Sequence, residues 1–372
     1  MGHRTTRRAL AVALALTLFA VVAASARAQQ TYEFTKVADS GQGLDPDRCP
    51  GLNNVGQVAF TAFTPEGVQV ILRAETDGRL TTIADNTGRF QFFGANPSIN
   101  DAGDISFAAG LEKGGEAILV TKGKNVKTVA RTESDRFGFF GFNTSLNNSG
   151  DVAFTAELDE EFDFDEGTFV GDGKIRTIYL ASTSQFIGTD SRRSLNDGGQ
   201  IAFEEALDDF TFGIFRSDGN GFVTIADENT PGIGSVADPQ LNNAGMVVFV
   251  AFLEGEGNRS AIMTGSGGPL TTVADTDGPF SEFAFFGGPS INDGGEVAFG
   301  ATLDSGGSGI FTGPDPAADR VVGTGDILDG SVVTNTTVCS EGLNNAGQIV
   351  FVAQLEDGRS GVFVATPVAA RR

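Results

Sequence analysis

Read as apolar and polar positions, the chain repeats one sentence. A polar turn of Asn, Asp and Gly leads into a short apolar run such as Val152-Ala153-Phe154, then another turn and another run. Runs this short, rich in Val, Ile, Phe and Thr and bounded by Gly, Asp, Asn or Pro, predict strands rather than helices. After the first run comes a second ("EAILVT", "SGIFTG"), then a third ("LTTIAD", "FVTIAD"), and in several units a fourth ("FQFFG", "FGFFG", "FAFFG").

The turn that opens each unit recurs seven times: GLNNVGQVAF (51–60), SINDAGDISF (98–107), SLNNSGDVAF (145–154), SLNDGGQIAF (194–203), QLNNAGMVVF (240–249), SINDGGEVAF (290–299) and GLNNAGQIVF (342–351). Its leading asparagines are spaced by 47, 47, 49, 46, 50 and 52 residues. Four short strands in such a period predict one blade of a β-propeller, whose repeats run about 40–50 residues. The chain past the first segment begins "YEFTKVADSG", a third strand, and the last unit stops after "GVFVATP", a second strand. The expected fold is therefore all-β, a seven-bladed propeller of four-stranded blades closed by a blade split between the N- and C-termini. Two strands of that blade are expected from each end. Such a seam pairs edges that an open array would expose.

The phrase has a structural reading. Asn and Asp side chains bond nearby backbone and tolerate left-handed conformations, and Gly supplies positive φ without a Cβ clash. Asn53 with Gly56, Asn100 with Gly103, Asn147 with Gly150, Asn196 with Gly199, Asn242 with Gly245, Asn292 with Gly295 and Asn344 with Gly347 are expected to form equivalent turns. They are placed between the fourth strand of one unit and the first strand of the next. The phenylalanines that close the phrase, Phe60 to Phe351, are expected to fill equivalent places between blades.

This pattern resembles a bacterial family of secreted tandem-repeat proteins named for the phrase N-x-x-G-x-x-A-F. The resemblance covers essentially all of the chain after residue 28. Four copies keep the Ala-Phe pair; Ser106-Phe107, Val248-Phe249 and Val350-Phe351 replace it in the others. The family implies export and a repeat fold, with no established activity. The phrase also looks like the Asp-box turn of sialidase propellers, but its Gly lies one residue further on and its Trp is missing.

Charge and the first residues narrow the setting. MGHRTTRR, an apolar run and SARAQQ read as a secretory signal peptide over 1–28, with cleavage after Ala28 and one propeller domain over 29–372. The pair Arg7-Arg8 leaves the general and twin-arginine export routes open. Loss of the leader removes His3, Arg4, Arg7, Arg8 and Arg27, leaving 21 basic against 48 acidic residues, a net charge of −27. That surface repels phosphate backbones, so nucleic acid is not an expected partner. No later stretch is apolar enough to span a bilayer, and a released monomer in the periplasm or medium is expected.

Two cysteines remain, Cys49 and Cys339, each just ahead of a phrase. They lie 290 residues apart, yet ring closure sets them on adjacent blades, and export permits oxidation. A disulfide near the seam is expected, worth roughly 4–5 kcal/mol in the chain-entropy model.

Chemistry is thin. Without histidine there is no Ser-His-Asp or Cys-His arrangement and no histidine-based zinc site. No phosphate-binding fingerprint occurs. Carboxylate pairs suitable for a glycosidase cannot be singled out among so many acids. Tyr179 reads as packing. Third strands end in Asp39, Asp85, Asp227 and Asp275, and "DTDG" at 275–278 is the nearest approach to a calcium cluster. Asp275 and Asp277 are thus calcium candidates, with turn capping as the default reading. "DEEFDFDEGTF" (159–169) enlarges an acidic loop, a solvated segment or a patch for a basic partner. Phe92-Phe93, Phe139-Phe140 and Phe285-Phe286 are richer than one buried face needs, which places some of these rings near an exposed rim.

The functional expectation is an exported, non-catalytic binding or scaffold module for an extracellular protein or cell-surface component, with no cofactor. A carboxylate-dependent enzyme acting on extracellular carbohydrate and a calcium-stabilised structural protein are the alternatives.

Overall fold

Strands of the Val-Ala-Phe kind are apolar on both faces and must be covered twice. The chain meets that demand with seven antiparallel sheets arranged as the blades of a β-propeller. The computed structural model describes residues 29–47, 49–94, 96–132, 136–159, 161, 165–188, 192–283 and 287–368. The leader, residues 160 and 162–164 of the acidic loop, and Phe285-Phe286 lie outside them.

The third blade shows the plan. From the axis outward its strands are Phe137–Leu146, Val152–Leu158, Glu166–Gly171 and Arg176–Leu180. The phrase is thus a hairpin turn within one blade, joining its innermost strand to its second. This corrects its placement between blades, and it moves the Val-Ala-Phe strand one step from the axis. The correction holds for every copy: the turns at Gly56, Gly103, Gly150, Gly199, Gly245, Gly295 and Gly347 each join two strands of the same sheet. The reason lies in the "FGFFG" segment. It does not end at its glycine but continues as one strand to Leu146, with Phe140 opposite Ala156 and Ser145 opposite Ala153.

The seam follows from the same shift. The closing blade takes Ser331–Leu343, Ile349–Leu355 and Ser360–Val368 from the C-terminal side, and only its outermost strand, Thr31–Asp39, from the N-terminal side. The division is three strands to one rather than two to two. Thr31 pairs with Val368 and the ladder runs to Asp39 opposite Gly361.

A cluster of ion pairs and a disulfide also hold the seam. Asp39 accepts from Lys36 at 2.9 Å and from Arg359 at 3.0 Å, and both cations also reach Asp329. Burial works against ionisation of Asp39, but the hydrogen bonds from Lys36, Arg359 and the Gln42 N–H outweigh it and hold its carboxyl below the usual range. Cys49 and Cys339 form a disulfide, their Cα atoms 5.4 Å apart. It ties the innermost strand of the closing blade to the segment of the first blade between Asp45–Pro46 and Gly51–Leu52, and the two blades are neighbours in the ring.

The core lies between blades. Phe60, Phe107, Phe154, Phe203, Phe249, Phe299 and Phe351 are fully buried. Phe154 meets Phe137 and Phe140 edge-on at 5.8 and 5.6 Å and stacks on Phe169 at 5.7 Å. Removing one such ring costs about 3–5 kcal/mol.

Candidate functional site

The phrase turns build one end of the axis. Each leading Asn accepts, on Oδ1, the N–H four residues on, as Asn147 does from Asp151 at 2.9 Å. The glycine three residues on sits at positive φ in all seven copies: 86° at Gly56, 75° at Gly103, 87° at Gly150, 74° at Gly199, 80° at Gly245, 81° at Gly295 and 74° at Gly347. The Asn Nδ2 then donates to the carbonyl of the leading Asn in the next blade. These bonds run from Asn53 to Asn100 and onward, and the last returns from Asn344 to Asn53 at 3.0 Å. The second residue of the phrase makes a parallel circuit. Its N–H donates to the side-chain Oδ1 of its counterpart in the next blade, at 2.8–2.9 Å all the way round.

That second circuit alternates Asn54, Asp101, Asn148, Asp197, Asn243, Asp293 and Asn345. Each Asp Oδ2 accepts an amide from both flanking asparagines, as Asp197 does from Asn148 at 3.0 Å and Asn243 at 3.1 Å. The three carboxylates are thereby held apart by donors. The leading asparagines are buried, where an unpaired polar group is costly, and the second circuit is exposed to solvent; both link each blade to the next.

Below the rings the axis narrows. The serines that open the phrase, two residues before its leading Asn, accept the N–H of the next inner strand: Ser98 from Leu146, Ser145 from Leu195, Ser194 from Leu241 and Ser290 from Leu343, at 2.9–3.0 Å. Where the first blade has Gly51 instead, Glu341 of the closing blade fills the gap and its Oε1 accepts from Ser98 Oγ at 3.0 Å. Arg192 of the fourth blade reaches across to donate to Ser340 Oγ. Asp238 and Glu204 stand close by, the Asp238 N–H reaching Glu204 at 3.3 Å.

Burial raises the carboxyls of Glu341 and Asp238 against the pull of Arg192, and it pushes Glu204 up to about 6. Burial also lowers the guanidinium of Arg192 from its ordinary value. Perturbed carboxyls around an arginine are what an active site displays. Access decides otherwise. The axial pocket lined by the rings measures about 140 Å³ and the space beside Arg192 and Glu341 about 10 Å³. Ligand sites run to about 300–1,000 Å³, and one water needs about 10–15 Å³. The axial pocket is therefore too small for a ligand of that size, and the space beside Arg192 and Glu341 has room for about one water.

Other residues singled out in the sequence lie elsewhere. Asp277 pairs with Arg259, and Asp275 Oδ1 accepts the Asp277 N–H at 3.1 Å. That is turn capping with a neutralising arginine, and no cluster of three metal-ligating side chains occurs among the described residues. Tyr179 packs between Phe186 and Phe203, and its hydroxyl bonds Glu205. Arg193 completes the group, reaching Tyr179 at 2.8 Å, Glu205 at 3.0 Å and Thr168 at 2.7 Å. Burial pushes the Tyr179 hydroxyl well above its usual range. This ion pair lies within the fourth blade and bonds Tyr179 and Thr168 of the third, an arrangement the sequence reading did not identify. Its signal was present: Arg193 stands where other copies have Pro97, Thr144 or Pro289.

The opposite end of the sheets differs from the phrase face. There the inner strands begin and the second strands end, Phe137 opposite Leu158. Of the paired phenylalanines, Phe93 and Phe140 are buried and Phe92 is half-buried, whereas Phe139 is 41% exposed. Phe142, 38% exposed, meets both Phe92 and Phe139 at 5.7 Å. Phe210, at the tip of the fourth blade's hairpin on the same end, is 73% exposed. Beside Phe139 a cleft of about 190 Å³ opens, lined by Glu157, Glu166, Thr155, Tyr179 and Gly188 among others. A larger hollow of about 550 Å³ lies between the sixth and closing blades, lined by Tyr32, Glu296, Asp319 and Asn345 among others.

Comparison with known proteins adds family and fold. A family of unknown function, DUF7453, matches residues 52–333 and again 223–370. No curated protein matches the sequence. Among solved structures, the chain is similar to a puromycin-hydrolysing peptidase of Mycobacterium tuberculosis, with a TM-score of 0.57 and 13% identity over 93% of this chain and 55% of that one. It is likewise similar to the acylaminoacyl peptidase of Pyrococcus horikoshii, at 0.52 and 13% over 83% of this chain and 49% of that one. The β-propeller domain of the Trilobed protease of Pyrococcus furiosus aligns at 0.37 and 13%, over 72% of this chain and 95% of its own. The chain spans about half the length of the two peptidases, and at such identities the likeness is one of fold alone.

Proposed function

Since the chain belongs to this DUF7453 family of unknown function, we propose its role from geometry: an exported, non-catalytic binding or scaffold module that engages a protein or cell-surface component. It does so through the face opposite the phrase turns. The observation that carries this reading is the exposed aromatic group Phe139, Phe142 and Phe210. Large exposed rings on a soluble domain mark interaction surfaces, and aromatic side chains dominate binding hot spots. The disulfide, and the lack of any described helix long and apolar enough to cross a membrane, are compatible with export. The carbohydrate-enzyme reading has the axial carboxylates in its favour and the small axial pocket against it.

The test compares capture of extracellular proteins and cell-wall material by the immobilised wild type and by a Phe142→Ser/Phe210→Ser variant. Bound species are identified, and their binding is then measured with purified components. The proposal expects a partner held by the wild type and lost by at least about tenfold in the variant. Equal retention by both, or no partner, contradicts it.

A further inference from the structure

We infer that a hollow in the second blade is a binding site for a small organic carboxylate with a largely apolar body of about one ring. It uses different residues from the aromatic surface of Phe139, Phe142 and Phe210. The hollow measures about 310 Å³, at the lower end of the range for ligand sites. It opens beside the hairpin that joins the blade's second strand, Ile105–Leu111, to its third, Glu116–Lys122. That hairpin lies at the end opposite the phrase turns.

The register explains why this blade is hollow. In four blades the third-strand residue opposite the phrase phenylalanine is another phenylalanine: Phe169, Phe215, Phe311 and Phe363. Two residues earlier each of these strands has a glycine, and a Cβ there would stand 2.7–3.4 Å from that ring. The ring therefore lies over its own strand. The second blade has Leu119 and Ala117 in these two places. The first blade sets the larger Val70 beside Leu72, and the fifth sets the longer Met263 beside Ala261. Only the second blade combines the two shorter side chains, and both line the hollow.

The missing ring also changes what the polar groups do. In the third blade Arg136 lies 5.1 Å over the ring of Phe169 and donates to Thr177 Oγ1 at 2.6 Å. Thr177 is opposite Phe169 as Thr128 is opposite Leu119, and Arg136 precedes Phe137 as Arg89 precedes Phe90. In the second blade Arg89 instead stands over its own Phe90 at 4.4 Å, and both Arg89 and Thr128 line the hollow. Lys113 and Arg131 line it too, with Glu112 as the one acid among the described lining residues. Three basic residues to one acidic, in a chain that carries 21 to 48 after residue 28, mark a place for negative charge. Among the described residues no carboxylate is ion-paired with Arg89 or Lys113, whereas Lys36, Arg73, Arg259, Arg320 and Arg359 each hold one. Residues 133–135, which follow Arg131, lie outside the described residues, and the site is assigned without them. Charge-assisted bonds from Arg89 and Lys113 hold the carboxylate, and Leu111, Ala117 and Leu119 take the apolar body.

The experiment titrates benzoate into the full chain at physiological salt, where diffuse attraction is screened. Benzamide serves as the uncharged counterpart and glucuronate as a carboxylate on a polar ring. Benzoate should bind at least about tenfold more tightly than either. Arg89→Gln/Lys113→Gln should weaken benzoate binding by about tenfold or more. Lys124→Gln/Lys174→Gln removes the same charge at exposed hairpins and should change it by less than about twofold. Ala117→Gly/Leu119→Phe gives the second blade the pair that four other blades carry. It should fill the hollow and abolish benzoate binding, with Tm within about 3 °C of wild type. No benzoate binding at about 10 mM overturns the site. So does equal binding of benzamide or glucuronate, equal weakening by the two charge variants, or unchanged binding once the hollow is filled.

Discussion

The two ends of the propeller use the same repeat to opposite purposes. At the phrase end, every copy contributes the same atoms to closed circuits of hydrogen bonds, and the side chains are occupied by neighbouring blades. At the other end the copies disagree: Phe142, Phe210 and the acidic loop each occur once. The difference teaches where to look for function in a ring of near-identical units. Positions that all copies share hold the ring, and exposed positions that one copy changes are where to look for contact with something else.

The comparison can be broken in several ways. The largest effect is expected beneath the irregular end, at the buried Arg193–Glu205 pair. Glu205→Ala leaves a guanidinium buried without its partner and should cost about 3–5 kcal/mol, read by denaturant unfolding. A loss below about 1 kcal/mol would mean that solvent reaches Arg193. Next comes the phrase end. Asn147→Ala removes one turn cap and one link to the fourth blade and should cost about 1–3 kcal/mol. Gly199→Ala, where φ is +74° and nothing lies closer than 4.0 Å to the added carbon, should cost about 1 kcal/mol through backbone strain alone.

The smallest effect depends on pH. The folded-state pKa of Glu204 is raised from 4.5 to about 6. Its contribution is therefore fully present below about pH 4.5 and is lost as pH rises through about 6. Glu204→Gln should be more stable than the wild type by about 1 kcal/mol above pH 7, allowing for partial solvent screening. The two should converge below pH 4.5. A gap that persists in acid would assign the effect to packing.

Much of the fold was legible in the sequence because a period survives any error about its phase. The spacing of Asn53 to Asn344 fixes seven units, and the partial units at the two ends fix closure. Adjacency in the ring is also what brings Cys49 to Cys339. The phase was misread because "FGFFG" ends in a glycine that looks like a strand terminus. Gly141 lies inside a bulge of one continuous strand, between Phe140 and Thr144. Its counterpart Gly94 is needed for a close approach, since a Cβ there would stand 2.3 Å from the Phe142 carbonyl oxygen.

The site was less legible. Exposed rings near a rim were expected from the paired phenylalanines, but nothing local distinguishes Phe139 from Phe140; only the strand's facing does. The axial charges Arg192, Asp238 and Glu341 come from three blades and meet across the ring, a relation that the spacing along the chain does not encode. Each nonetheless departs from its column of the repeat: Arg192 and Asp238 stand where Asn96 and Asn143 stand in other copies.

One paired measurement tests the central claim. Tm and partner capture are recorded for Asn54→Ala/Asn148→Ala/Asn243→Ala, which cuts the second circuit, and for Phe139→Ser/Phe142→Ser/Phe210→Ser, which strips the opposite end. The account predicts a fall of roughly 5–15 °C with capture intact below that Tm for the first variant. For the second it predicts a Tm within about 3 °C of wild type and capture abolished. Loss of capture on cutting the asparagine circuit of a still-folded chain, with the phenylalanine variant binding normally, would place function on the phrase face and contradict the account.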